Sequence, residues 1–186
     1  MFLVLAVIGG GALLVFLWGA GIYNGLVRAR NAVKNAWSQI DVQLKRRHDL
    51  IPNLIETCKG YMAHERDTLE NITKARNLAM GAQSVGEHAR AESQLGQALS
   101  NIFAVAENYP DLKANTNFLA LQEELTSTEN KIGFARQAYN DQAMHLNNKI
   151  EMFPGSLVAG VFNFEAAEFF EIEDAAERAV PKVSFS

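Results

Sequence analysis

The sequence predicts an all-α protein: a single N-terminal transmembrane helix, an antiparallel bundle of four long helices and a short C-terminal helical segment. Three observations carry this. Residues Phe2 to Ile22 contain no charged side chain. Prolines occur only at 52, 110, 154 and 181, leaving long stretches in which nothing forbids a helix. Between them apolar residues recur in steps of three, four and seven, the period of a helix with one buried face. The chain has 186 residues, 48% hydrophobic and 20% charged, the size of one domain with a small appendage.

The first element is the span, residues 1–23. Twenty-one uncharged residues at a rise of ~1.5 Å each are enough to cross about 30 Å of hydrocarbon. No Lys or Arg precedes the run to make the basic start of a cleaved signal, so a retained anchor is expected. Arg28, Arg30 and Lys34 follow it directly, which places the body on the cytoplasmic side, with Trp18 and Tyr23 as interfacial anchors. The charge is also uneven. Residues 24–80 carry ten Lys/Arg against six Asp/Glu, and residues 81–186 carry seven against fifteen. The basic half lies beside the anchor, which points to anionic lipid headgroups as a partner and not to nucleic acid.

The bundle is expected over residues 24–153. Leu26, Val33, Trp37, Ile40, Leu44 and Ile51 form one stripe, giving a first helix over about 24–47, with Trp37 facing inward. Asp49 can cap a second helix over 50–80, with Pro52 in its first turn, where a missing N–H costs nothing. A kinked but continuous helix through Pro52 is the alternative, since the apolar phase runs on through Leu54, Cys58 and Leu69. Between these stripes Arg46, Arg47, His48 and Asp49 make a dense polar turn, a candidate protein-contact surface. Gly81 to Gly86 reads as a loop, followed by a third helix over 87–107 and, past Pro110, a fourth over 111–152 that ends at Pro154-Gly155.

Residues 154–186 form an acidic, Phe-rich segment. Phe162, Phe164, Phe169 and Phe170 are large apolar groups beyond the four stripes that can cover one another. They are candidate contacts between copies in a homo-oligomer, with burial against the chain's own bundle as the competing reading.

Nothing in the sequence argues for catalysis. His64-Glu65 resembles the start of a zinc-protease motif, but Thr68 stands where the second histidine belongs. The one cysteine, Cys58, follows the apolar phase and reads as a core residue. No nucleophile elbow, phosphate loop or dinucleotide fingerprint is present. No enzyme, cofactor or metal is expected.

The run "YNGLVRARNAVKNAWSQIDVQLKRRHDLIPNLIETCKGYMAHERDTL", then "LTSTENKIGFARQAYNDQAMHLNNKIEMFPGSLVAGVF" and the closing "PKVSF" resemble the LemA family of bacterial membrane proteins. Trp37, "KRRHDLIPNL", Glu129-Asn130-Lys131-Ile132 with Ala135-Arg136, and Phe153-Pro154 carry the resemblance most specifically. Cys58 departs from it, standing where the family usually has an aliphatic residue. The resemblance implies a single-pass protein of the bacterial inner membrane, with a very short exported N-terminus and a cytoplasmic helical bundle. It implies no established enzymatic activity, and links to membrane proteases and, for some relatives, to intracellular membrane organelles. The function expected is that of a membrane-anchored scaffold or adaptor that self-associates or binds partner proteins at the cytoplasmic face. An accessory subunit of a membrane protease or other membrane enzyme, or a cryptic enzyme, is the alternative.

Overall fold

Helix begins at Phe2 and continues without a break to Lys59, forming α1. The computed structural model describes residues 1–171. Five further helices follow: α2 (Arg66–Gly81), α3 (Val85–Ala106), α4 (Pro110–Lys113), α5 (Thr116–Glu151) and α6 (Gly155–Val161). Among the described residues there is no strand, and the all-α expectation holds, with an apolar N-terminal helix followed by a helical bundle. The part of the Phe-rich segment beyond Glu171, including Pro181 to Phe185, lies outside the described residues.

The expected turn at 47–50 is not formed, because Pro52 lies inside α1. A proline removes the N–H that would bond the carbonyl four residues earlier, here that of His48. The Arg76 Nε donates to that carbonyl at 2.7 Å instead. Asp49 is accordingly an exposed mid-helix residue and caps nothing. The first break comes later, at Lys59-Gly60, where Met62 N–H bonds the Cys58 carbonyl and Met62 itself is fully buried. One expected helix over 50–80 is therefore the end of α1, a turn, and α2.

The third helix starts two residues earlier than expected because Ser84 and Glu87 form a capping box. Ser84 Oγ accepts from the Glu87 N–H while the Glu87 carboxylate accepts from the backbone of Gln83 and Ser84. The expected fourth helix is divided at Asn115, whose Oδ1 accepts from the N–H groups of Asn117 and Phe118 and so starts α5 anew after the single turn of α4.

The chain divides into two compact units. The first holds residues 1–44 and 129–169. In it α1 and α5 run antiparallel, since Trp37 meets Tyr139 edge-on at 5.6 Å while Gly25, earlier on α1, lies beside Lys149, later on α5. Leu26, Val33, Ile40 and Leu44 are buried on this seam, as their spacing predicts, with Ile132, Tyr139, Ala143 and Leu146 from α5. Trp37 faces this seam, as expected, but is only half buried. At the end of α5 the backbone turns so tightly that a Cβ on Gly155 would stand 2.2 Å from the Lys149 carbonyl oxygen, which excludes any other residue there. After α6 the chain leaves the helix through a Schellman cap: Asn163 adopts φ 51° and the Phe164 N–H bonds the Ala159 carbonyl at 2.9 Å. Residues 164–171 are irregular, so among the described residues the helix after Pro154 is confined to α6 and ends before Glu165.

The second unit holds residues 45–128 together with Phe170 and Glu171. The end of α1, then α2, α3, α4 and the start of α5 enclose one core, with Ile51, Leu54, Met62, Ile72, Leu95, Ile102 and Leu112 at its centre. Phe103 and Phe118 meet edge-on at 6.1 Å within it.

Candidate functional site

Two places in the fold gather the side chains that the sequence singles out. In the first unit these are the residues expected at a membrane interface. Trp18 is exposed on α1 near the end of the uncharged run, as an anchor requires. Tyr23 is partly covered, its ring 4.7 Å from that of Phe162 and 5.7 Å from that of Phe164. Arg30 places its guanidinium 5.1 Å above the Phe164 ring, a cation–π contact. Arg28 and Lys34 are exposed. Arg28 lines a groove of about 700 Å³ with Leu17, Trp18, Gly21, Lys149 and Phe153.

The irregular segment is tied to α5 by side chains that stand in for a sheet. Asn147 Nδ2 donates to the Ala167 carbonyl at 3.0 Å and Asn147 Oδ1 accepts from the Ala167 N–H at 2.7 Å. The Tyr139 hydroxyl donates to the Glu168 carbonyl at 2.7 Å. Burial, with the nearby Glu168 charge, pushes the Tyr139 phenol up from its ordinary value. Of the four phenylalanines expected at an oligomer contact, Phe170 is buried and Phe164 is half buried within the chain, so two of them are satisfied internally. Phe162 and Phe169 stay exposed.

In the second unit the polar residues expected at a turn are helical and largely interior. Arg47 is 3% exposed and His48 7%, and α3 brings Glu92, 6% exposed, between them. Glu92 Oε1 lies 2.6 Å from His48 Nε2 and Glu92 Oε2 lies 3.4 Å from Arg47 Nη1. Arg47 lies close over Gly96, where a Cβ would be 3.3 Å from Nη2. Arg46 turns outward and pairs with Glu124 of α5. The expectation of a solvated contact turn at Arg46, Arg47, His48 and Asp49 is thus corrected: two of the four are internal struts, one is a partly exposed ion pair and one is a helix-surface carboxylate. A burial this complete suits structure better than chemistry, because no substrate atom can approach. Among the described residues no group of three His, Cys, Asp or Glu could hold a metal ion. Cys58 is fully buried, and desolvation pushes its thiol up to about 11, away from the reactive thiolate.

The pattern that describes the LemA family matches residues 36–185. The chain belongs to the LemA family. Protein LemA of Metamycoplasma hominis is 31% identical over 160 residues, covering 82% of this chain and 72% of that protein. Magnetosome protein MamQ 2 of Paramagnetospirillum magneticum is 23% identical over 184 residues, covering 85% and 68%. Magnetosome protein MamQ of Magnetospirillum gryphiswaldense is 21% identical over the same length and shares. Membership of the LemA family and an apolar helix long enough to cross a membrane together make this a membrane-associated helical protein.

Within the LemA-matched region the sequence left three structural positions unread. Glu92 and Arg76 were hidden because their partners, in "RRHD", lie on another helix. Asn147 was hidden because an amide on a helix surface gives no signal that it will pair with backbone. The spacing of His48 and Pro52, four residues apart, is the trace that could have marked His48 as a carbonyl in need of a donor.

Proposed function

We propose that this LemA-family protein is a membrane-anchored scaffold or adaptor that self-associates and binds partner proteins at the cytoplasmic face. The observation that carries the reading is how its side chains are used. The densest polar group, Arg47, His48 and Glu92, is sealed inside as a brace, while Phe134 stands 75% exposed on α5, between Ile132 and Ala135. A large exposed aromatic side chain on a helix surface is an anchor for another protein surface. Arg28, Arg30 and Lys34, immediately after the uncharged run, support a cytoplasmic position for the helical units by the positive-inside rule. The inner membrane of a bacterium is the setting this implies.

The experiment is the mass of the protein in native-lipid nanodiscs, wild type against Phe134→Ser. The expected result is an assembly larger than one chain that shrinks in the variant while helicity is unchanged. A single chain without partners at every concentration would overturn the scaffold reading. Protease protection in inverted vesicles tests the orientation, with cleavage of the body expected only when the cytoplasmic face is exposed.

A further inference from the structure

Residues 152–164 read MFPGSLVAGVFNF, thirteen residues without a charge, set between Glu151 and Glu165. In a water-facing segment such a run should be buried. Here much of it is not: Met152, Phe153, Leu157, Val161 and Phe162 are all exposed, Phe153 to 76%. An uncharged run of this length is too short to span a bilayer and suits an interfacial element.

Its position follows from what it lies beside. Phe162 meets Tyr23 at 4.7 Å between ring centroids, and Met152 and Phe153 line the same groove as Leu17 and Trp18. Leu17 and Trp18 are inside the uncharged run of α1, so whatever shares a groove with them lies at the depth of the hydrocarbon boundary. The groove also has a polarity gradient along α1. Its wall is apolar from Leu17 to Leu26, and cations stand at the far end, Arg28 on α1 and Lys149 on α5. Lys149 lies at this end beside Gly25, its Nζ 3.8 Å from where a Cβ would stand. Over the eleven residues from Leu17 to Arg28 the helix rises ~16 Å, which is the scale on which a phospholipid passes from acyl chain to phosphate.

We propose that the α5–α6 corner and α6 are a second membrane contact, inserted into the cytoplasmic leaflet beside the span. The groove between them and α1 is filled by phospholipid, with its phosphate at Arg28 and Lys149. Continuity with the span and the match of two cations to an anionic headgroup name the occupant. The inference rests on α1 crossing the bilayer, but not on the scaffold role.

The test uses the full chain in nanodiscs loaded at one chain per disc, with lipids carrying a quencher near the headgroup. Three proteins each hold one tryptophan. Trp37→Phe leaves Trp18 as the reporter of the span. Trp18→Phe/Trp37→Phe with Phe153→Trp reports the corner, and the same background with Phe134→Trp reports the opposite stretch of α5, ~26 Å along the helix from its end. The expected result is blue-shifted emission and loss of intensity to labelled lipid at positions 18 and 153, and solvent-like emission with no such loss at 134. Lipid quenching at 18 with solvent-like emission at 153 overturns the corner insertion and leaves the span standing. Absence of quenching at 18 overturns the spanning assignment itself. Emission at 153 that is solvent-like in these single-chain discs, and becomes blue-shifted but insensitive to labelled lipid when several chains share a disc, assigns the surface to a second copy and also overturns the proposal.

Discussion

Arg76 and Pro52 act on the same carbonyl: the proline withholds the helical N–H from His48, and the Arg76 Nε supplies a donor at 2.7 Å. Because α2 carries the substitute donor, the unbroken path of α1 through Pro52 is linked to the docking of α2. Arg76→Met should destabilise the second unit by about 1–3 kcal/mol, the cost of leaving a buried acceptor unmet. In a Pro52→Ala background the helix regains its own N–H, and the same Arg76→Met change should then cost much less. Chemical denaturation of the four proteins of this cycle measures the coupling, and strict additivity would show that Arg76 has no part in completing α1.

Glu92 joins His48 and Arg47 where all three are nearly sealed from water. Glu92→Ala should cost ~3–5 kcal/mol, because a carboxylate is removed from buried partners that formed around it. Arg46→Ala, at the partly exposed pair with Glu124, should cost only ~0–1 kcal/mol. Thermal melts of the two variants give the comparison, and similar losses in both would contradict the assigned burial.

The Cys58 thiol is raised from 9.0 to about 11 by burial. The folded state therefore holds its proton through a range in which the unfolded chain has released it. This contribution to stability is complete below about pH 9 and is lost as the pH rises toward about 11. Wild type should lose more stability over that interval than Cys58→Val, and native protein at pH 8 should resist alkylation until denaturant is added. Rapid labelling of the native thiol would place Cys58 at the surface.

Asn147 holds both backbone polar groups of Ala167. Asn147→Leu keeps the approximate volume and deletes both bonds, so limited proteolysis within residues 163–170 should accelerate several-fold while α5 remains helical by circular dichroism. An unchanged cleavage pattern would mean that other contacts hold the segment.

The uncharged apolar run, the α1 stripe from Leu26 to Ile51 and the α5 stripe from Phe118 to Leu146 were legible because each depends on local composition or spacing, and the residues of the two stripes are mostly buried as expected. The Ser84–Glu87 capping box was equally local and could have moved the start of α3 to Val85. Pro52 was misread for a different reason. Local rules place a proline at a helix start, and only a donor from α2 makes the interior position tolerable. The break at Lys59-Gly60 was hidden by Met62, which keeps the apolar rhythm while lying in a turn. The polar run from Arg46 to Asp49 looked solvated because the carboxylate that neutralises it comes from α3.

The pairing of α1 with α5 in the first unit has a consequence in time. Tyr139 is the partner of Trp37, and a ribosome adding ~5–20 residues per second needs about 5–20 s to travel the hundred or so residues between them. During that interval the α2–α3 hairpin, joined by a three-residue loop with its own cap, can close on local contacts alone. The stripe of Leu26, Val33 and Ile40 has no such neighbour and emerges uncovered. The nascent chain thus carries an uncovered apolar face until α5 has been made, and this is the period in which it is most open to aggregation.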